Sequence, residues 1–221
     1  MKILAIAPHP DDETLGCGGA LLRHISEGCE VHWLIMTAID AEHGFSEAQI
    51  TKRDLEIKKV AENYGFAGVH QAKLPTMQLD TISKSKLVEA VSSVVKSVQP
   101  HTMYIPYRND AHSDHAAVFD AAAACTKNFR YPSVKLVLAY ETLSETDFGI
   151  RPDDTGFRPN VFMDITKFAQ KKIDIMKLYV GEMGDFPFPR SEKTMLAQMN
   201  LRGSIAGVEF SEAFMLLKEI V

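Results

Sequence analysis

The amino-acid sequence predicts an α/β protein built on a mostly parallel sheet flanked by helices. Two observations carry that expectation. Apolar runs of about four to seven residues recur along the 221-residue chain, and the stretches between them carry apolar residues at helical spacing. Strands buried on both faces and joined by amphipathic helices produce this alternation.

The expected strands are 3–7, 31–36, 69–74, 103–105, 136–140 and 161–163. Between the first two, residues 15–25 place Leu15, Leu21, Leu22 and Ile25 on one helical face, and Gly28 supplies a stop. Residues 46–64 repeat Ile50, Ile57, Val60, Ala61 and Tyr64 before Gly65. Residues 82–98 repeat Leu87, Val91, Val94, Val95 and Val98 before Pro100. A fourth helix is expected over 113–125, where alanine, the best helix former, dominates and Val118 and Phe119 anchor the buried side.

Past residue 150 the pattern changes. A loop is expected over 151–156 and a helix over 165–180, followed by the stiff segment Phe186-Pro187-Phe188-Pro189-Arg190, read as a packed loop, with the lining of a substrate mouth or a subunit contact as the alternatives. This region is expected to form a cap over a Rossmann-like core. No linker or repeat divides the chain, so residues 1–221 are expected to form one domain.

Composition excludes several classes of function. Lys plus Arg number 24 against 29 Asp plus Glu, a net charge of −5, so no basic excess exists to neutralise a nucleic-acid backbone. The N-terminal apolar run 3–7 is too short for a membrane span or a secretory core. Three cysteines, Cys17, Cys29 and Cys125, form no paired spacing and fit a reducing compartment; the expectation is a cytoplasmic protein.

Two polar clusters follow strands directly. Pro8-His9-Pro10-Asp11-Asp12-Glu13 lies at the carboxyl end of the first strand, and His112-Ser113-Asp114-His115 lies beyond the fourth. Open α/β sheets bind ligands at these ends. Three consecutive carboxylates repel one another unless water surrounds them or a cation draws them together. His9, Asp12 and His115 would make a two-imidazole, one-carboxylate set of the kind found in hydrolytic zinc sites that leave room for water. Asp11 could then take a proton from that water, and His112 could steady or protonate the tetrahedral species. Asp114 has two readings, as an orienting partner of His112 or as a cap of the alanine-rich helix. Arg53 also has two, as a substrate contact or as an ion pair with Glu56 or Asp54.

The run Ala7-Pro8-His9-Pro10-Asp11-Asp12-Glu13-Thr14-Leu15-Gly16-Cys17-Gly18-Gly19 resembles the opening motif of the PIG-L/LmbE-like zinc-dependent de-N-acetylases, and His112-x-Asp114-His115 resembles their second motif. Weaker similarity covers Arg53-x-x-Glu56, Leu74-Pro75, Leu79-Asp80 and the tail from Pro159 to Gly203. Ser113 and Thr76 depart from the family, which often has proline and an acidic residue there. The resemblance implies Zn2+ held by His9, Asp12 and His115, with Asp11 as general base. It implies His112 at the oxyanion or leaving amine with Asp114 behind it, and Arg53 toward substrate. Implied partners are a small N-acetylated sugar substrate and, as in other members, a homo-oligomer. Another small amide such as a thiol conjugate, or sugar binding without catalysis, are the alternative functions. Gly16-x-Gly18-Gly19 departs from a dinucleotide fingerprint and is read as letting the first helix approach the sheet, while His24, His32, His43, His70 and His101 show no partner pattern.

Overall fold

The computed structural model describes residues 1–150 and 153–221. Of the loop expected over 151–156, Arg151 and Pro152 lie outside the described residues. Among those described, seven strands form one sheet and six α-helices flank it: β1 (Lys2–Ala7), α1 (Asp12–Ser26), β2 (Glu30–Ala38), α2 (Glu47–Tyr64), β3 (Gly68–Pro75), α3 (Lys84–Val98), β4 (Thr102–Pro106), α4 (Ser113–Ala124), β5 (Leu136–Tyr140), β6 (Val161–Asp164), α5 (Ala169–Met176), α6 (Glu192–Ala206) and β7 (Ser211–Glu219).

The sheet order is β3-β2-β1-β4-β5-β7-β6. β1 to β5 pair in parallel, and β7 enters antiparallel between β5 and β6. The chain winds from β1 outward through β2 to β3, then returns across the sheet to β4. The order therefore reverses between β1 and β4, and the crevice at their carboxyl ends is the binding position such a topology provides. Both polar clusters open there.

Alternation along β1 assigns its side chains to two cores. Ile3, Ala5 and Ala7 pack with Leu21 of α1, Val60 of α2, Ile173 of α5 and Met199 of α6. Leu4 and Ile6 pack with Val91 of α3 and Val118 of α4. Helix α2 starts with a capping box, in which Gln49 N donates to Ser46 Oγ at 3.3 Å and Ser46 N donates to Gln49 Oε1 at 2.9 Å; it stops at Gly65, with φ 78°. The glycines of α1 do bring that helix close to its neighbours. A Cβ on Gly16 would lie 2.1 Å from Tyr140 Cδ2 of β5, and one on Gly19 would meet Ile165 at 2.7 Å.

Four expectations change. The sheet gains β7, an antiparallel strand that was not expected although Ala213 to Leu217 form an apolar run; its burial is confined to Ser211 to Phe214. Helix α6 was not expected, because Leu201 and Ile205 on its outer side are exposed while Met195 and Met199 are buried, and no single stripe stands out. Helix α5 is shorter than 165–180, ending at Met176 where the chain turns into the 177–191 segment. In that segment Phe186 is 59% exposed, so it does not pack as the stiff loop was expected to. The C-terminal region thus extends the sheet and also leans over the crevice through Glu182 and Arg190. No helix among the described residues is long and apolar enough to cross a membrane.

Candidate active site

The turn after β1 begins the site. Asp11 takes φ 134°, a conformation disfavoured for a residue with a Cβ and costing on the order of 1–3 kcal/mol unless the surroundings enforce it. Its N–H donates to Glu13 Oε2 at 3.1 Å, and its carbonyl accepts from Thr14 N at 3.0 Å and Leu15 N at 2.9 Å. Glu13, fully buried, also accepts from Thr14 Oγ1 at 2.6 Å and Tyr179 Oη at 2.7 Å; burial pushes its carboxyl up to about 7. Glu13 therefore fixes the turn from beneath, while Asp11 and Asp12 reach the crevice.

The two clusters converge. Ligand-capable atoms of His9, Asp12 and His115 all lie within 4.8 Å of one another, and the rings of His9 and His112 are 4.5 Å apart. Each of the two histidines in the first set has one nitrogen tied down. His9 Nε2 donates to Asp114 Oδ2 at 3.0 Å, and His115 Nδ1 donates to Asp110 Oδ2 at 2.7 Å. The other nitrogens, His9 Nδ1 and His115 Nε2, face Asp12 Oδ2 at 3.2 and 3.4 Å. If both rings are neutral, three electron pairs meet with no proton between them. A cation resolves this, either a proton or a metal ion, and carboxylate-oriented imidazoles are the usual arrangement around a metal. The donor set fits one.

The electrostatics agree. Burial alone would lower His9 and His115, yet hydrogen bonds to the carboxylates of Asp114 and Asp12 lift His9 to about 9, and Asp12 and Asp110 hold His115 well above the ordinary imidazole value. Burial opposes ionisation of Asp12, but the flanking imidazoles hold its carboxyl far below the usual range. Asp11 goes the other way: burial, then the charges of Asp12 and Glu182, raise it well above a normal carboxyl, although Arg190 Nη1 lies 3.0 Å from its Oδ2. His112 is lowered, first by burial and then by His9. A second triple, His9, His112 and Asp114, is also close enough to hold an ion. There, however, His9 already donates to Asp114, and His112 Nδ1 accepts from Asp114 N at 3.1 Å.

One expected partnership differs, and another gains a further partner. The Asp114 side chain does not orient the His112 ring and does not cap α4; His112 is the N-cap, and Asp114 turns to His9 while accepting from Met77 N at 2.8 Å and Leu79 N at 3.0 Å. Arg53 pairs with Glu182, and its Nε lies 3.5 Å from Glu56 Oε2, so the expected Glu56 pair forms while a more distant carboxylate takes the guanidinium end. Arg53 nonetheless lines the crevice, a pocket of about 370 Å³ that also includes His9, Asp11, His112 and Arg190. Asp110, Glu182 and Arg190 were not identified as site residues. Asp110 sits five residues before His115 and so offered a local signal; Arg190 offered only its place in the weakly similar tail, and Glu182 offered none. His32 and His70, expected to stand alone, meet each other at 3.3 Å, and His24 meets Tyr104 Oη at 2.8 Å, all away from the site.

Known proteins share this architecture. The chain is 21% identical over 225 residues to the diacetylchitobiose deacetylase of Thermococcus kodakarensis, covering 96% of this chain and 81% of that one. Its structure superimposes with a TM-score of 0.77 on the N,N'-diacetylchitobiose deacetylase of Pyrococcus horikoshii, at 21% identity over 98% of this chain and 84% of that chain. It also superimposes, with a TM-score of 0.75 and 18% identity over 100% and 97%, on the 4-carboxy-2-hydroxymuconate hydratase of Pseudomonas putida, so the fold by itself does not fix the chemistry. Residues 4–126, more than half of the chain and containing both converging clusters, match the family described as PIG-L: GlcNAc-PI de-N-acetylase, and the chain belongs to that family.

Proposed function

We propose that this protein, acting as one unit over residues 1–221, removes the acetyl group from an N-acetylated amino sugar or sugar conjugate, with zinc held by His9, Asp12 and His115. The observation that carries this reading is the meeting of two carboxylate-oriented imidazoles on Asp12 beside Asp11 and His112. A divalent ion at that point supplies Lewis acidity, polarising the amide carbonyl and acidifying a water.

The chain's own groups do the remaining work. Asp11, made more basic by burial and steadied by Arg190, receives a proton from the attacking water at its carboxylate. His112 accepts the Asp114 N–H at Nδ1, so its proton resides on Nε2, where it donates a hydrogen bond to the oxyanion, while the proton that Asp11 has taken up passes to the leaving amine. Asp114 and Asp110 hold the imidazoles of His9 and His115 in register. Arg53 lines the sugar side of the pocket. The three cysteines are all free, and we place the enzyme in the cytoplasm, where they stay reduced.

The test is a mass-spectrometric screen of the metal-loaded chain against N-acetylated sugars, with acylated thiol conjugates as a control panel. Asp11→Asn should retain metal and lose about 10²–10⁴-fold in turnover. An unchanged rate in that variant rejects the base assignment; no acetyl loss from any sugar rejects the deacetylase reading.

A further inference from the structure

Two arginines reach the pocket from different parts of the fold, Arg53 from α2 and Arg190 from the 177–191 segment. Both end on one carboxylate. Arg53 Nη2 donates to Glu182 Oε1, and Arg190 Nη1 lies 3.3 Å from Glu182 Oε2. Their charges are further offset by other groups: Arg190 Nη1 lies 3.0 Å from Asp11 Oδ2, Arg53 Nη1 3.5 Å from the Pro10 carbonyl and Arg53 Nε 3.5 Å from Glu56, while Arg190 Nε has no hydrogen-bond partner among the described residues. Among the described residues these are the pocket's two cationic side chains besides its histidines. Two further lining carboxylates, Asp54 and Glu145, have no lysine or arginine partner among the described residues.

A phosphate or carboxylate entering such a pocket meets guanidiniums whose charge Glu182 and Asp11 already offset, and it must compete with those carboxylates for them or settle beside Asp54 and Glu145. Like charges in a partly desolvated cleft repel strongly, and juxtaposing them is a common way to reject a wrong ligand. Sugar hydroxyls meet neither obstacle, because they donate to the carboxylates and accept from the guanidinium edges without breaking the ion pairs.

We propose that Glu182, by tying the guanidiniums of Arg53 and Arg190 to itself, makes this site select N-acetylated sugars that bear no phosphate or carboxylate. The proposal rests on the deacetylase reading and narrows its substrate class.

The experiment compares kcat/KM of the metal-loaded full chain for N-acetylglucosamine and diacetylchitobiose with that for N-acetylglucosamine 6-phosphate. The neutral sugars should lead by about tenfold or more. Glu182→Gln keeps the shape and removes the charge that occupies both arginines, so the gap should narrow by about tenfold, mainly through a lower KM for the phosphorylated sugar. A purely structural role would depress both substrates together and leave their ratio unchanged. Equal or better use of the phosphorylated sugar by the wild type overturns the proposal, as does a ratio that Glu182→Gln does not move. If no acetyl is released from any sugar, the deacetylase reading fails separately, and binding of the same sugars to the chain without added metal, followed by saturation-transfer NMR, decides the charge preference. Preferential binding of the neutral sugars then supports it; equal binding, or binding of none, overturns it.

Discussion

Replacing Glu212 with alanine tests how the fold holds its first helix. Helix α1 leaves helical geometry at Cys17, with φ −142° and ψ 15°, which strips the surrounding peptide groups of their intrahelical partners. Strand β7 and helix α5 repair the break. Gly19 N and Ala20 N donate to the Glu212 carboxylate at 2.8 and 2.7 Å, and Lys172 Nζ donates to the Leu15 carbonyl at 2.8 Å and to Glu212 at 2.7 Å. The Lys172 and Glu212 side chains are 2% and 4% exposed. Glu212→Ala leaves a buried ammonium without its counter-charge and two N–H groups without acceptors, so the expected loss is about 3–5 kcal/mol. For a chain of this length about 1 kcal/mol shifts Tm by roughly 2–4 °C, so Tm should fall by about 6–20 °C. Urea and thermal unfolding can be followed through Trp33, which is fully buried. Adding Lys172→Met removes the orphaned charge and should recover part of the loss. A cost below about 1 kcal/mol for Glu212→Ala, or no recovery in the double variant, would refute the reasoning.

Two other predictions concern the site and the solvent. Asp110→Asn keeps the size of the group that orients His115 but removes its charge, so metal affinity should weaken by about 10–100-fold in competition with a chromogenic chelator; unchanged affinity contradicts the ligand geometry. His24, His32 and His70 are each held below the ordinary histidine value, first by burial, with His70 and Lys2 adding to the shift at His32 while Glu30 opposes it. Below an unfolded-state value near about 6.5 the unfolded chain binds more protons than the folded one. This contribution to stability is therefore complete above that pH and declines as pH falls through 6 toward 5. Urea midpoints of the wild type and of His32→Gln/His70→Gln should converge as pH falls, and parallel profiles would contradict the assignment.

Much of the molecule is legible in its sequence. Apolar runs and helical spacing marked β1 to β6 and the first four helices, because backbone periodicity is a local property that burial stamps on consecutive residues. The first polar cluster sat directly after β1 and the second shortly after β4. Those strands pair in the sheet, so His9, Asp12 and His115 came together as their spacing suggested.

Partner choice among charges was a different matter. Spacing placed Asp114 with His112, but the turn of α4 and the approach of Met77 and Leu79 send its carboxylate to His9. Glu182 and Arg190 meet Arg53 and Asp11 across more than a hundred residues of chain, and Glu212 reaches α1 from the last strand. The antiparallel place of β7 between β5 and β6 is likewise set only in the folded sheet. The sequence by itself determined a mostly parallel sheet and the two polar clusters that meet in the crevice, since both follow from periodicity and from where strands end. Which carboxylate holds which cation was decided only by the tertiary structure, because Coulomb and hydrogen-bond energies depend on separation in space and leave no mark on the spacing of residues along the chain.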